Sequence, residues 1–187
     1  MRQITWTMVL TGILGVLPAA AQTVVQPVRL DSAQAALRDG LEVLRDSLHT
    51  VDGAAARLQR DYRTASEASL LSRAGLMMEA CARSNRTVPP TRKTVLEFRL
   101  SDRQKLQLRQ QVVTALDSLH NALRRCETQF TAMSRSRQGE NVRGYANNRA
   151  EQVQTAIRNY EQHLRHFVGS LGIRILPPGM GSPAANR

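Results

Sequence analysis

Apolar and small residues recur at alternating intervals of four and three along three long stretches of the chain, and this repeat constrains the fold more than any other feature. The first ladder comprises Leu37, Leu41, Leu44, Leu48, Val51, Ala55, Leu58 and Tyr62. The second comprises Val112, Leu116, Leu119, Leu123, Cys126, Phe130 and Met133, and the third Ala146, Ala150, Val153, Ile157, Tyr160, Leu164, Phe167 and Leu171. Such a repeat is typical of helices that bury a coiled-coil-like seam. It predicts an all-α antiparallel bundle with three long helices.

A shorter fourth helix is predicted over 65–84. Thr64 and Glu67 have capping-box spacing, and apolar residues follow them at helical intervals. No glycine or proline separates this helix from the end of the first ladder at Tyr62. Residues 31–84 therefore form either one helix or two.

An extended strap is predicted over 86–100. Pro89 and Pro90 remove backbone donors and restrict the residues before them, and apolar and charged residues then alternate as far as Leu100. We expect Val95, Leu96 or Phe98 to pack along the flank of the bundle. Ser101 and Gln104 have capping-box spacing and mark the start of the next helix. The last connection is expected around 134–148, where Gly139 and Gly144 fall.

Residues 1–21 have the pattern of a secretory signal peptide. Arg2 precedes a short apolar run, and small residues at Ala19 and Ala21 form a cleavage site of the A-x-A type. The run is short for a membrane span, although an uncleaved anchor is the alternative. We expect cleavage after Ala21 and a mature chain beginning at Gln22 in the periplasm or outside the cell. No other stretch of the sequence is expected to cross a bilayer.

The remaining sequence divides into three parts. Residues 22–30 form an N-terminal extension, and residues 31–172 contain the bundle. Residues 173–187 are rich in proline and glycine and lack an apolar period, so they predict a flexible tail.

Two cysteines, Cys81 and Cys126, are predicted to form a disulfide, because an exported chain with an even number of cysteines favours the bond. Two buried free thiols are the alternative. Cys81 is expected near the end of one helix and Cys126 about 25 residues into the next, so joining them would require the strap to cover roughly 30 to 45 Å.

The formal net charge is +11, and 24 of the 26 basic residues are arginines. The excess lies entirely after Arg63, since the preceding mature sequence is balanced. Clustered arginines are suited to phosphate or carboxylate ligands, although GC-rich coding also produces such a bias. The candidate anion-binding residues lie around and before the predicted last connection: Arg124, Arg125, Arg135, Arg137, Arg143 and Arg149.

Catalytic chemistry has little support in the sequence. The chain contains no phosphate-binding loop, dinucleotide fingerprint or nucleophile elbow, and we predict neither an enzyme nor a cofactor. The string DSLH occurs at Asp46–His49 and at Asp117–His120, but the ladders place most of these side chains outside the core. His163 and His166 are three apart without a third metal ligand in view. Nucleic acid is a poor candidate partner for an exported protein.

The order of elements resembles that of periplasmic b-type cytochromes of the four-helix-bundle class. The resemblance rests on the Pro89–Pro90 linker, the long helix that follows it and the late histidines of the final helix. In that family a methionine near the start of the first helix pairs with such a histidine on haem iron. Here the first helix has leucines at Leu37, Leu41 and Leu44 and no methionine.

The string LSDRQ at 100–104 resembles the LTxxQ motif of a family of periplasmic helical stress chaperones and metal-resistance proteins. It has serine in place of threonine and occurs once, where that family usually has two copies. The resemblance would imply a concave basic surface that shields unfolded envelope proteins.

These observations favour an exported, disulfide-stapled helical bundle that acts by binding. The expected partner is an anionic envelope component or a protein client, with a chaperone-like role as one form of that activity. The alternatives are a haem- or metal-binding four-helix bundle and a structural coiled-coil assembly protein. A homodimer formed through the heptad seams is a further prediction.

Overall fold

The computed structural model describes residues 31–136 and 139–179, and within these ranges the side chains of all residues except 133–136, 139–141 and 145–147. It contains four helices: α1 Ser32–Asp61, α2 Glu67–Glu97, α3 Arg103–Ser136 and α4 Gly139–Ser170. Helices that follow one another in the chain pack together, and α1 also contacts α4. The described ranges contain no strand. The predicted all-α antiparallel bundle is confirmed.

The three ladders form the core of this bundle. The apolar members of the first ladder from Leu37 to Leu58 are all buried, and Tyr62 at its end is half-buried. The second is buried from Val112 to Phe130, and the third from Ala150 to Phe167. The seams of the helices therefore meet each other within a single chain.

The first two helices are separate. Asp31 caps α1 by accepting a hydrogen bond from the Gln34 backbone N–H at 2.7 Å, in a capping box. The chain leaves the helix after Asp61, and α2 begins at Glu67. The cap of α2 is Ser66, whose hydroxyl accepts from a backbone N–H at 3.3 Å, and not the predicted Thr64.

Helix α2 occupies the place of the strap predicted over 86–100. It continues through Pro89 and Pro90 and ends at Glu97. Both prolines are exposed, so the backbone carbonyls that lose their helical partners lie on the side open to water. The opposite face buries Val88, Thr91 and Val95, and this burial offsets the missing backbone hydrogen bonds. Of the three residues expected on the flank, Val95 is in the core, Phe98 is half-buried and Leu96 is exposed.

The predicted disulfide between Cys81 and Cys126 is present, with a Cα–Cα distance of 6.1 Å. It does not need a strap. At 1.5 Å per residue, α2 runs about 24 Å beyond Cys81, and α3 returns about 35 Å to Cys126. The five residues 98–102 span the remaining difference of about 10 Å. Asp102 caps α3 by accepting from the Lys105 N–H at 2.9 Å, so the cap lies one residue after the predicted Ser101.

Arginines close the C-terminal ends of two helices, where backbone carbonyls lack helical partners. Arg109 of α3 donates to the carbonyls of Leu96 and Phe98 at the end of α2, at 3.2 and 3.0 Å. Arg143 of α4 does the same beyond the end of α1. A positive charge at these positions also interacts favourably with the helix dipole. Part of the arginine excess therefore stabilises the bundle.

The chain does not leave the bundle after α4. Gly172 has a φ of 68°, and the N–H groups of Gly172 and Ile173 donate to the carbonyls of Gly169 and Val168 at 3.2 and 3.0 Å. This is a Schellman turn, which needs a residue such as glycine in the left-handed region. It redirects residues 173–179, the described part of the predicted flexible tail, onto α1. Packing thus extends beyond the predicted boundary at 172.

Tyr160 is fully buried, and its hydroxyl has no hydrogen-bond partner among the described protein atoms. Burial raises the pKa of this hydroxyl above its ordinary value of about 10, and the neighbouring Glu161 carboxylate adds to the shift. The unfolded chain therefore loses this proton first, and stability falls as pH rises above about 10.

The substitution Tyr160→Phe is expected to raise the free energy of unfolding by about 1 kcal/mol at pH 7, because it removes a buried hydroxyl without a protein partner. The difference in the free energy of unfolding between the variant and the unsubstituted protein is expected to grow above pH 10. Urea denaturation of both proteins at pH 7 and pH 10.5 measures the two effects. Equal losses of stability at the higher pH would contradict the assignment to Tyr160.

Candidate functional site

The arginines predicted to bind anions do not share one connecting loop. Because α3 extends to Ser136 and α4 begins at Gly139, the connection predicted around 134–148 is much shorter. Arg135 is in α3, but its side chain lies outside the described residues, as does all of Arg137. The other four candidates lie on α3 or α4, and their side chains are described.

The side chain of Arg143 is hydrogen-bonded to the backbone of another part of the chain. Its guanidinium donates to the carbonyls of Tyr62, Arg63 and Ala65 at 2.9, 3.0 and 3.0 Å. These three acceptors hold the planar group against the α1–α2 connection. Arg143 is therefore a structural residue in this fold, and we leave it out of the candidate site.

Arg125 of α3 and Arg149 of α4 line the same groove, which has a volume of about 480 Å³. Arg124 is exposed on α3 but does not line it. The other lining residues are small or polar: Ser118, Asn121, Ala122, Cys126, Gln129, Gln152 and Val153. Arg149 is oriented by donating to the Gln152 side-chain carbonyl at 2.7 Å. The structure thus brings together two of the six candidates, 24 positions apart in the sequence.

A second groove continues along the same two helices and shares Ser118 with the first. Its lining residues are Gln107, Gln110, Gln111, Thr114, Ala115, Ser118, Asn159 and His163. We call the two together the α3–α4 groove. From Gln107 to Gln129 it extends about 33 Å at 1.5 Å per residue. Nine of its sixteen lining residues carry an amide or a hydroxyl, and these groups both donate and accept hydrogen bonds.

None of the residues that line the α3–α4 groove is acidic. Two carboxylates of α3 are engaged on the side that faces α2. Asp117 accepts from Arg92 at 2.7 and 3.2 Å, and Glu127 accepts from the Asn85 amide at 3.2 Å. Arg125 and Arg149 therefore stand in a groove without a carboxylate in its own walls, and Glu151 lines an adjoining cleft beside Arg149. The two guanidinium groups favour an anion in the groove.

The histidines do not assemble a metal centre in the described part of the chain. There, no group of three or more histidine, cysteine or acidic side chains could hold a metal ion. His49 and His166 are exposed, His120 is half-buried, and His163 lies in the α3–α4 groove. The first acid of each DSLH string is engaged elsewhere, since Asp117 pairs with Arg92 and Asp46 holds the C-terminal segment.

Comparisons with models of protein families, with curated proteins and with solved structures find no match for this chain. Within residues 31–136 and 139–179, no helix is both long enough and apolar enough to span a membrane.

The amide-rich walls were missed in the sequence, although a signal for them exists. Polar residues recur along α3 at intervals of four and three, beside the apolar ladder: Gln107, Gln111, Thr114, Ser118, Asn121, Arg125 and Gln129. A second polar series on α4 comprises Gln152, Thr155, Asn159 and His163. Two such ladders on adjacent antiparallel helices predict a continuous polar groove between them.

Proposed function

We propose that the chain is an exported binding protein whose α3–α4 groove holds an anionic envelope component. The observation that carries this proposal is that Arg125 and Arg149 line one groove whose walls contain no carboxylate. Export rests on the signal peptide predicted over 1–21, which lies outside the described residues. The disulfide between Cys81 and Cys126 supports an oxidising location.

The shape and chemistry of the groove favour a linear acidic polysaccharide. A groove about 33 Å long accommodates several sugar units in a row. Guanidinium groups bind carboxylates or phosphates through paired hydrogen bonds, and the glutamine, asparagine, serine and threonine side chains supply partners for sugar hydroxyls. A single phosphate would use only the end of the groove near Arg125.

The double substitution Arg125→Gln and Arg149→Gln is expected to weaken binding of polygalacturonate, a linear polymer of carboxylated sugars, at least tenfold. Each lost charge-assisted hydrogen bond contributes about 1.5 to 3 kcal/mol. Titration calorimetry at low salt measures the affinity, and neutral dextran serves as the uncharged comparison. Binding by the unsubstituted protein is expected to weaken as salt is raised.

The matched control carries Arg83→Gln and Arg86→Gln, which remove the same charge from exposed positions on α2. This control is expected to bind as the unsubstituted protein does. Equal weakening of both variants would assign the interaction to net charge and not to the groove. Undetectable polygalacturonate binding by the unsubstituted protein would reject the proposed ligand class.

A further inference from the structure

Three charged side chains on α1 form hydrogen bonds with the backbone of the C-terminal segment 173–179. The Leu176 N–H donates to the Glu42 carboxylate at 3.1 Å, and Arg45 donates to the Leu176 carbonyl at 3.0 Å. The Gly179 N–H donates to the Asp46 carboxylate at 2.9 Å. We call Glu42, Arg45 and Asp46 the α1 clamp. Each of these hydrogen bonds involves a main-chain atom of the segment, so none requires a particular side chain there.

The clamp is built into the fold. Glu42 is only 6% exposed, and a carboxylate is rarely buried this far unless it is paired. Its partners are the Leu176 N–H and the Arg38 guanidinium, which lies 4.0 Å away. With the segment in place, the Leu176 N–H thus satisfies part of the hydrogen-bonding capacity of this buried carboxylate.

The segment also places alternate side chains against the bundle. Ile173 is buried, and the half-buried Ile175 packs against the core and lines, together with Leu164 and Val168, a cleft of about 280 Å³. Between and after them, Arg174 and Leu176 are exposed, Leu176 at 42%. This alternation is that of an extended strand, whose successive side chains point to opposite sides.

We propose that the surface between α1 and α4 on which this segment lies is a binding site for extended peptide segments that carry aliphatic residues at alternate positions. Residues 173–179 occupy it as a displaceable intramolecular ligand. The clamp supplies affinity for the main chain, and the surface of Leu164 and Val168 supplies the preference for aliphatic side chains, the division of labour seen in strand-type peptide recognition. The site is separate from the α3–α4 groove and goes beyond the function proposed for it.

Because the segment is covalently attached, an added peptide must compete with it for the same surface. A short tether gives the intramolecular ligand an effective concentration in the millimolar range. A free peptide with a dissociation constant near 100 μM would therefore bind the unsubstituted chain about tenfold more weakly than a chain whose own segment packs poorly.

The test uses a fluorescein-labelled peptide with the sequence of residues 171–179 and the full-length chain. A variant with Ile173→Ser and Ile175→Ser keeps the clamp but loses the aliphatic contacts of its own segment. Fluorescence anisotropy is expected to show about tenfold tighter peptide binding by this variant than by the unsubstituted chain. A peptide with serine at both isoleucine positions is expected to bind neither protein.

Adding Arg45→Ala and Asp46→Ala to that variant is expected to abolish the gain, because two of the three backbone partners are lost. Circular dichroism checks that each protein remains helical. A helical serine variant that binds the peptide no better than the unsubstituted chain would overturn the proposal, as would equal binding of the serine peptide.

A second measurement needs no substitution and covers the case in which the serine variant unfolds. Hydrogen exchange of the Leu176 and Gly179 amides is followed in the unsubstituted protein with and without excess unlabelled peptide. Displacement of the segment is expected to accelerate exchange at both amides while exchange in α2 and α3 stays constant. Unchanged exchange at a saturating millimolar peptide concentration contradicts a displaceable segment.

Discussion

Replacing Cys81 and Cys126 together with alanine is expected to lower the free energy of unfolding by about 4 kcal/mol. The two cysteines are separated by 45 positions, and closing a loop of that length constrains the unfolded chain by about this amount. Such a loss is a large fraction of the 5 to 15 kcal/mol that stabilises a typical domain. Urea denaturation monitored by circular dichroism at 222 nm measures it, because the helices supply most of the signal.

Alanine is the suitable replacement because both sulfur atoms lie in the core, with Cys81 fully buried and Cys126 at 2% exposure. The matched control is the unsubstituted protein after reduction, which is expected to unfold near the same urea concentration as the variant. The variant itself is expected to be insensitive to reductant. A loss below about 1 kcal/mol would show that residual structure keeps the two cysteines close in the unfolded ensemble without the bond.

The substitution Arg143→Ala is expected to cost about 2 to 3 kcal/mol of stability. One guanidinium satisfies three carbonyls of the α1–α2 connection, and hydrogen bonds from a charged donor contribute about 1.5 to 3 kcal/mol, here shared among partly exposed acceptors. Thermal and urea unfolding of the variant measure the cost. Arg143→Lys is expected to recover only part of it, since an ammonium group cannot span all three acceptors.

Arg124→Ala is the matched control, because Arg124 is exposed on α3 and is expected to change stability by less than 0.5 kcal/mol. Binding of polygalacturonate to Arg143→Ala is expected to match the unsubstituted protein at a temperature where both are folded. A stable Arg143→Ala variant with weakened binding would instead return this residue to the anion site.

The helical seams could be predicted from the sequence because period and burial have the same physical origin. A helix that buries one stripe needs apolar residues at intervals of three and four, and Leu37, Leu48 and Leu58 satisfy this requirement without reference to any partner. The disulfide was predicted from the even number of cysteines together with the predicted signal peptide. These features are encoded locally, so a single sequence was sufficient for them.

The strap prediction over 86–100 was wrong because it considered only the backbone hydrogen bonds that Pro89 and Pro90 remove. Whether a helix survives two prolines depends on where the freed carbonyls lie and on what the opposite face buries. Both prolines are exposed, and Val88 and Val95 are buried against the other helices. That balance is tertiary and is not visible in the residues around the prolines.

The candidate site was also only partly predictable from the sequence. Arg125, Arg143 and Arg149 look alike in the sequence, yet Arg143 contacts backbone carbonyls while the other two line a groove. Only the packing of α4 beside the α1–α2 connection separates these roles. The clamp on α1 was equally hidden, since its partners are backbone atoms 131 to 134 residues later in the chain.

The position of the disulfide also divides the molecule into unequal cooperative units. It joins α2 to α3, so these two helices remain a closed hairpin even when their side-chain contacts are interrupted. Helices α1 and α4 pack on that hairpin but are joined to it covalently only through the connections at their ends. We expect partial opening to separate the outer pair and the C-terminal segment from this covalently closed inner pair. The C-terminal segment and the α1 clamp that binds it both lie outside this covalently closed hairpin.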